Sequence, residues 1–181
     1  MSLLHTALLF ALAALTLTAC SSELDNSSEP VTMPEVDLVA LAVPNASTTL
    51  PGVLAAGQLT PEQMTALHEA GYRSFISLRV ADERGAGWEE EYSETNGIHF
   101  VRMPIAGKAG IDEAHARELG TLMDAETKPM VVYCGSSNRV GALFGLKAHF
   151  VDGTPAEEAL ALGMASGVTS LEPVFRGQLG L

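Results

Sequence analysis

"MVVYCGSSNRVGALFG", residues 130–145, runs from an apolar segment through a cysteine, a small polar loop and an arginine into a stretch of small and apolar residues. A short apolar run bounded by Gly and Ser ahead of a helix is the pattern of a buried strand feeding a helix in a parallel sheet. In open α/β sheets ligands bind beyond the carboxyl ends of the strands, and Cys134 stands at such an end. The loop Gly135, Ser136, Ser137 and Asn138 can turn successive backbone N–H groups inward, and the positive end of a helix beginning near Arg139 completes an anion-binding nest. The same donors favour a thiolate, and Arg139 offers a planar fork to two oxygens of a tetrahedral anion. A nucleophile and an anion receptor therefore share one six-residue segment. The competing reading is an inert core cysteine in an ordinary strand–glycine–helix connection.

Outward from this segment, apolar runs alternate with helical ones. "GVLAAGQL" precedes a helix that starts at "TPEQ", with Thr60 as N-cap, Pro61 at the first position and Gln63 closing a capping box, and that ends at Gly71. "RSFISLR" is the next strand, followed by the loop "VADERGAG", a short acidic helix "WEEEYSETN" and the strand "IHFVRMPI". A helix over Asp112 to Ala125 turns Leu119, Leu122 and Met123 inward and leads to the strand "MVVY". Gly141 and Gly145, four residues apart, make a small-residue face suited to close packing on a sheet. "TPAEEALALGMASG" repeats the start device with Thr154 as N-cap, Pro155 and Glu157, and "SLEPVFRGQL" forms a last helical turn. The alternation predicts an α/β fold with a mainly parallel central sheet flanked by helices.

The amino-terminal residues have a different character. "LLHTALLFALAALTL", residues 3–17, is apolar, too short to span a bilayer comfortably, and no charged residue precedes Glu23. It reads as a signal peptide over 1–19. "LTAC" at its end resembles a bacterial lipoprotein signal in which Cys20 is lipidated, although the basic opening of such signals is absent. Ser21 and Ser22, with no Asp beside the cysteine, resemble signals directing lipoproteins to the outer membrane. Residues 20–44, rich in Ser, Pro and acids at first, read as a tether, and "VDLVALAV" within them as a first strand or a segment packed on the domain of residues 45–181.

With 22 acidic and 10 basic residues the net charge is −12, all of it in the mature part, which disfavours nucleic-acid binding. The expected partners are a small anionic substrate, a phosphoester or a sulfur donor, held by local groups against the net field, and the membrane through the lipid. With Cys20 lipidated, Cys134 has no partner for an internal disulfide in an oxidising compartment. The scattered His68, His99, His115 and His149 form no metal-ligand pattern, and no cofactor or metal is expected.

"GVLAAGQLTPEQMTALHEAGYRSFISLR", "IHFVRMPI", "YCGSSNRVGAL" and "GTPAEEALALGMASGVTSLEP" together resemble the beta-lactamase-hydrolase-like phosphatase-like domain family, which is similar in fold to dual-specificity tyrosine phosphatases. The resemblance covers roughly residues 45–175. It implies Cys134 as nucleophile, the backbone of Gly135, Ser136, Ser137 and Asn138 as oxyanion cradle, and Arg139 as the oxyanion-binding guanidinium. Arg79 and Glu83 match a polar pair after the second strand of such phosphatases, as support near the site or as a surface ion pair. Three features depart from the phosphatase pattern. Only four residues separate Cys134 from Arg139, one fewer than in tyrosine phosphatases and resembling the loop of rhodaneses. Tyr133 and Val140 stand where phosphatases have His and Ser or Thr. The loop "AGKAG" lacks the expected aspartic acid, leaving Asp112 and Glu113 as the nearest general-acid candidates or as favourable first-turn residues of a helix.

Three functions are compatible with these residues. The first is a cysteine-dependent phosphatase-like hydrolase, in which Cys134 attacks phosphorus while the amides and Arg139 hold the equatorial oxygens. The second is a rhodanese-type sulfurtransferase carrying a persulfide on Cys134, a chemistry that tolerates every departure. The third is a non-catalytic anion-binding or interaction module.

Overall fold

A computed structural model describes residues 31–181. The expected signal segment 1–19, the expected lipidation site Cys20 and the beginning of the expected tether lie outside the described residues.

Among the described residues the apolar runs become five strands, β1 (Ser47–Leu50), β2 (Val53–Ala56), β3 (Ser74–Ser77), β4 (Phe100–Arg102) and β5 (Met130–Tyr133), in the spatial order β1-β2-β5-β3-β4. β5 is central and parallel to both neighbours, with Val132 opposite Ala55 on one side and Ile76 on the other. β3 and β4 are also parallel, and β1 joins β2 as an antiparallel hairpin, so the sheet is mainly parallel as expected. Every residue of β2, β3 and β5 is buried, which is what a strand covered on both faces requires and why these read as unbroken apolar runs.

Among the described residues six helices cover the sheet: α1 (Pro61–Ala70), α2 (Glu89–Thr95), α3 (Glu113–Ala125), α4 (Asn138–Phe150), α5 (Ala156–Ala165) and α6 (Glu172–Leu179). Alternation along β5 divides the core. Met130, Val132 and Cys134 face the layer of α3, α4, α5 and α6, while Val131 and Tyr133 face Met64 and Leu67 of α1. The capping box at α1 is formed in full, with Gln63 N–H donating to Thr60 Oγ1 and Thr60 N–H to Gln63 Oε1, and Gly71 closes the helix in the left-handed conformation at φ 116°.

Two expectations are corrected, and a third is decided between its alternatives. Thr154 is not the N-cap of α5; Pro155 occupies that position with no side-chain cap, while the Thr154 N–H donates to the Ala148 carbonyl and its own carbonyl bonds His149. Gly141 and Gly145 do not serve contact with the sheet. A Cβ on Gly141 would lie 2.6 Å from the Gly163 carbonyl, and one on Gly145 2.2 Å from the Phe175 ring, so these glycines bring α4 against α5 and α6. The expected tether is packed over its later part: Met33, Val36, Leu38 and Leu41 cover the α1-side core, Val43 is buried in it, and Gln63 Nε2 donates to the carbonyls of Leu41 and Ala42. No strand forms over "VDLVALAV"; of its two readings, packing on the domain is the one observed.

Candidate functional site

The carboxyl ends of β5, β3 and β4 open together, and one arginine ties them. Cys134 follows β5, with its N–H donating to the Ala56 carbonyl across the β2 neighbour. In the next peptides the carbonyls point outward: Gly135 O accepts from Gln58 N–H (3.3 Å) and Ser136 O from Asn45 Nδ2 (3.2 Å). The antiparallel bridge between Gly57 and Ser136 sets the loop against the end of β2. Ser137 takes the left-handed conformation at φ 62°, unusual for a residue with a Cβ, and reverses the chain into α4, whose first N–H groups have no intrahelical acceptor.

The side chains of the loop hold it from behind. Ser137 Oγ, fully buried, donates to the Ser166 carbonyl at 2.9 Å. Asn138 Nδ2 donates to the hydroxyls of Thr169 and Ser170, and its Oδ1 accepts from the N–H groups of Thr169 and Leu171. Residues 166–171, between α5 and α6, thus brace the cradle, and Gly167 passes so close that a Cβ there would meet the Ser137 Cβ at 2.7 Å.

Arg139 closes the front. Its Nη1 donates to Glu83 Oε1 (2.5 Å), to the Ile105 carbonyl after β4 (2.8 Å) and to the Leu78 carbonyl after β3 (3.2 Å), and its Nη2 donates to Glu83 Oε2 (2.8 Å). The position of a Cβ on Gly135 lies 3.6 Å from Nη2, so the guanidinium leans over the loop. The hydrogen bonds from Arg139, together with those from Val80 N–H and Arg79, hold the Glu83 carboxyl at about 2 despite its partial burial. Reciprocally, Glu83 raises the Arg139 pKa, and the Cys134 sulfur contributes to the same shift.

Behind Glu83 lies a second row. Arg79, 2% exposed, donates through Nε to Glu83 and through Nη1 to Glu89, and Arg102 bridges Glu89 and Glu90 while donating to the Arg79 carbonyl. Glu89 is fully buried; burial pushes its carboxyl up, against the pull of Arg102, Ser77 and Arg79. Arg79, buried, and Glu83, half-buried, therefore support Arg139, and the surface ion-pair reading is set aside. Glu89 and Arg102 were not anticipated; both sit in an acidic helix and a strand that looked like ordinary solvated and packed elements.

An open cleft of about 350 Å³ lies over the loop, lined among others by Glu83, Lys108, Ser136, Asn138, Arg139 and Ser170. Cys134 lies beneath this lining and is 1% exposed. Lys108 and Ser170 were not expected there; Lys108 is in the "AGKAG" loop noted only for lacking an acid. Asp112 does not line the cleft. It is the N-cap of α3, accepting from the His115 N–H (2.9 Å) and facing the His115 ring (2.8 Å). Although desolvation opposes it, these contacts hold the Asp112 carboxyl below its ordinary range. Glu113 pairs with Arg117 on the surface of α3. Both carboxylates thus stand at the start of α3, where negative charge is favoured by the helix dipole. Tyr133, before the cysteine, points into the opposite core, and burial pushes its phenol up.

No family model matches the chain, and no curated protein matches it in sequence. Solved structures do. A candidate phosphatase from Neisseria meningitidis z2491 superposes with a TM-score of 0.62 at 21% identity, over 75% of this chain and 96% of that one. A candidate phosphatase of the DUF442 group from Shewanella putrefaciens CN-32 gives 0.60 at 15% identity, over 80% and 97%. The core catalytic domain of the PP-IP phosphatase SIW14 from S. cerevisiae, in complex with citrate, gives 0.51 at 13% identity, over 74% and 85%. At these identities the likeness establishes the fold: a phosphatase-like α/β domain.

Proposed function

We propose that the chain is a cysteine-dependent phosphatase-like hydrolase of small anionic phosphoesters. The observation that carries this reading is the pairing of Cys134, at the end of the central strand, with an Arg139 guanidinium locked by Glu83 and by the Leu78 and Ile105 carbonyls over the same loop. In this reading N–H groups of the loop and of the start of α4 receive the equatorial oxygens of the phosphoryl group, with Arg139 neutralising them through donors that Glu83 leaves free. The Cys134 thiolate attacks phosphorus as the bond to the leaving oxygen breaks with its electron pair on that oxygen, and water then cleaves the S–P bond to release inorganic phosphate and return the thiolate. The protein carries the charge stabilisation in donors that are already in place, which is where most of the rate enhancement of such a transfer arises. The fold likeness to phosphatases supports the reading.

The test is hydrolysis of p-nitrophenyl phosphate by the full chain and by Cys134→Ser. Activity in the first and none in the second is the expected result; no hydrolysis by a folded wild-type protein overturns it. The four-residue loop and a cleft lined, among the described residues, by the ionised Glu83 as its one carboxylate favour a second reading, sulfur transfer through a Cys134 persulfide. Mass spectrometry after exposure to thiosulfate tests that reading, and added sulfur on Cys134 without phosphatase activity would establish it. Anion binding with neither chemistry would leave the interaction module. We further propose export and lipidation at Cys20, on the "LTAC" signal; mass spectrometry of the mature amino terminus tests it by the expected diacylglyceryl cysteine, and an unmodified Met1 would contradict it.

A further inference from the structure

Lys108 stands at the rim of the cleft that Arg139 closes, on the short 3-10 turn Gly107–Gly110 after β4. Its placement is tied to the guanidinium. The Ile105 carbonyl accepts from both Arg139 Nη1 (2.8 Å) and Gly107 N–H (3.1 Å), and Ile111 N–H returns to the Lys108 carbonyl. The turn folds tightly on the buried Ile105, since a Cβ on Gly110 would lie 2.8 Å from its Cγ2. Among the described residues Lys108 forms no salt bridge, whereas Arg79, Arg102 and Arg139 all do. In a chain of 22 acidic and 10 basic residues, the mouth of the cleft thus keeps one uncompensated cation. Among the described residues the cleft is lined by one carboxylate, Glu83, which is ionised and bound by two arginines, while Asp112 caps α3.

The geometry points to a substrate class: a small phosphorylated molecule whose leaving group departs as an anion with its own phosphate-like oxygens, as in a phosphoanhydride, with Lys108 receiving that group. This rests on the phosphatase reading above. An ammonium on a flexible stem serves an anion as a point charge and does not depend on bidentate geometry. In the step, a bond forms between Cys134 Sγ and phosphorus as the bond to the bridging oxygen breaks. The electron pair stays on that oxygen, and the leaving phosphate or substituted phosphate departs against the ammonium without taking a proton. Water then attacks the phosphocysteine, the S–P bond breaks to return the thiolate, inorganic phosphate is released, and the proton from water passes to solvent. An alkyl phosphomonoester, whose alkoxide must be protonated as it leaves, is a poor substrate for such a cleft.

The test compares inorganic pyrophosphate, p-nitrophenyl phosphate and glycerol 2-phosphate as substrates of the full chain and of Lys108→Ala, Lys108→Arg and Cys134→Ser. Pyrophosphate is expected to exceed glycerol 2-phosphate in kcat/KM, and Lys108→Ala to lower the pyrophosphate value about tenfold or more but the aryl value less than about threefold. Lys108→Arg is expected to recover most of the loss, and Cys134→Ser to abolish all hydrolysis. Cys134-dependent aryl hydrolysis with a pyrophosphate rate unaffected by Lys108→Ala, or with both substrates lowered alike, overturns this inference and leaves the phosphatase reading intact. No Cys134-dependent hydrolysis of any substrate, in a protein folded by circular dichroism, overturns both.

Discussion

At the scale of single residues the site divides into a part contiguous in sequence and a part brought to it. Cys134 through Arg139 could be read as one unit because strand, loop and helix start follow one another, and the backbone of such a unit is determined locally. Glu83 is separated from Arg139 by 56 positions, and its two hydrogen bonds to the guanidinium come from tertiary placement that local spacing does not encode. The resemblance drew attention to Arg79 and Glu83, but a polar pair in a loop does not say whether it is buried. Lys108 gave no signal at all beyond being a lysine where an acid was sought. Two outcomes follow from the geometry. Arg139→Lys keeps the charge and loses the fork that spans Glu83 and two carbonyls, so kcat/KM on p-nitrophenyl phosphate should fall by about a hundredfold or more, as when one preorganised oxyanion donor is removed. Asn138→Ala removes the acceptor of two backbone N–H groups and the donor to two hydroxyls, and should destabilise the fold by about 2 kcal/mol in urea unfolding.

At the scale of elements, starts and stops were the most legible features where cap chemistry is self-contained. The Thr60 box and Gly71 lie within one helix and formed as read, and the burial of β5 followed from its unbroken apolar run. Thr154 failed because its backbone is drawn instead to Ala148 and His149 at the end of α4, a competing contact invisible in a local pattern. The small face of α4 was legible as a close-packing face, but not its partner. That partner is α5 and α6, with Phe175 lying on Gly145 and Gly163. Gly145→Ala would place its Cβ 2.2 Å from the Phe175 ring and should destabilise by about 1–3 kcal/mol, read as a lowered Tm. Gly177→Ala in α6 meets nothing within 4 Å and should instead stabilise by about 0.5–1 kcal/mol.

At the scale of the whole molecule, the alternation of strands and helices implied a mainly parallel sheet, but the order β1-β2-β5-β3-β4 depends on pairings between distant runs. That order sets β5 between β2 and β3, so the cysteine loop emerges among the ends of β3 and β4, where Glu83 and Lys108 complete it. The ion-pair rows join these ends and couple stability to pH. Glu83 titrates near 4.5 in an unfolded chain and at about 2 here, so its contribution is complete above about pH 5 and is lost as pH falls toward 2. The difference in unfolding free energy between wild type and Glu83→Gln should therefore be on the order of 2–3 kcal/mol near neutral pH and shrink through that window. Glu89, raised by burial, acts in the opposite sense and is common to both proteins, so it drops out of the comparison. In the proposed reaction the phosphoryl group passes through one sulfur. Rapid quenching of the full chain during turnover of p-nitrophenyl phosphate, followed by peptide mass spectrometry, should find phosphate on Cys134 and on no other residue. Turnover with an unmodified Cys134, or turnover that persists in Cys134→Ser, would contradict it.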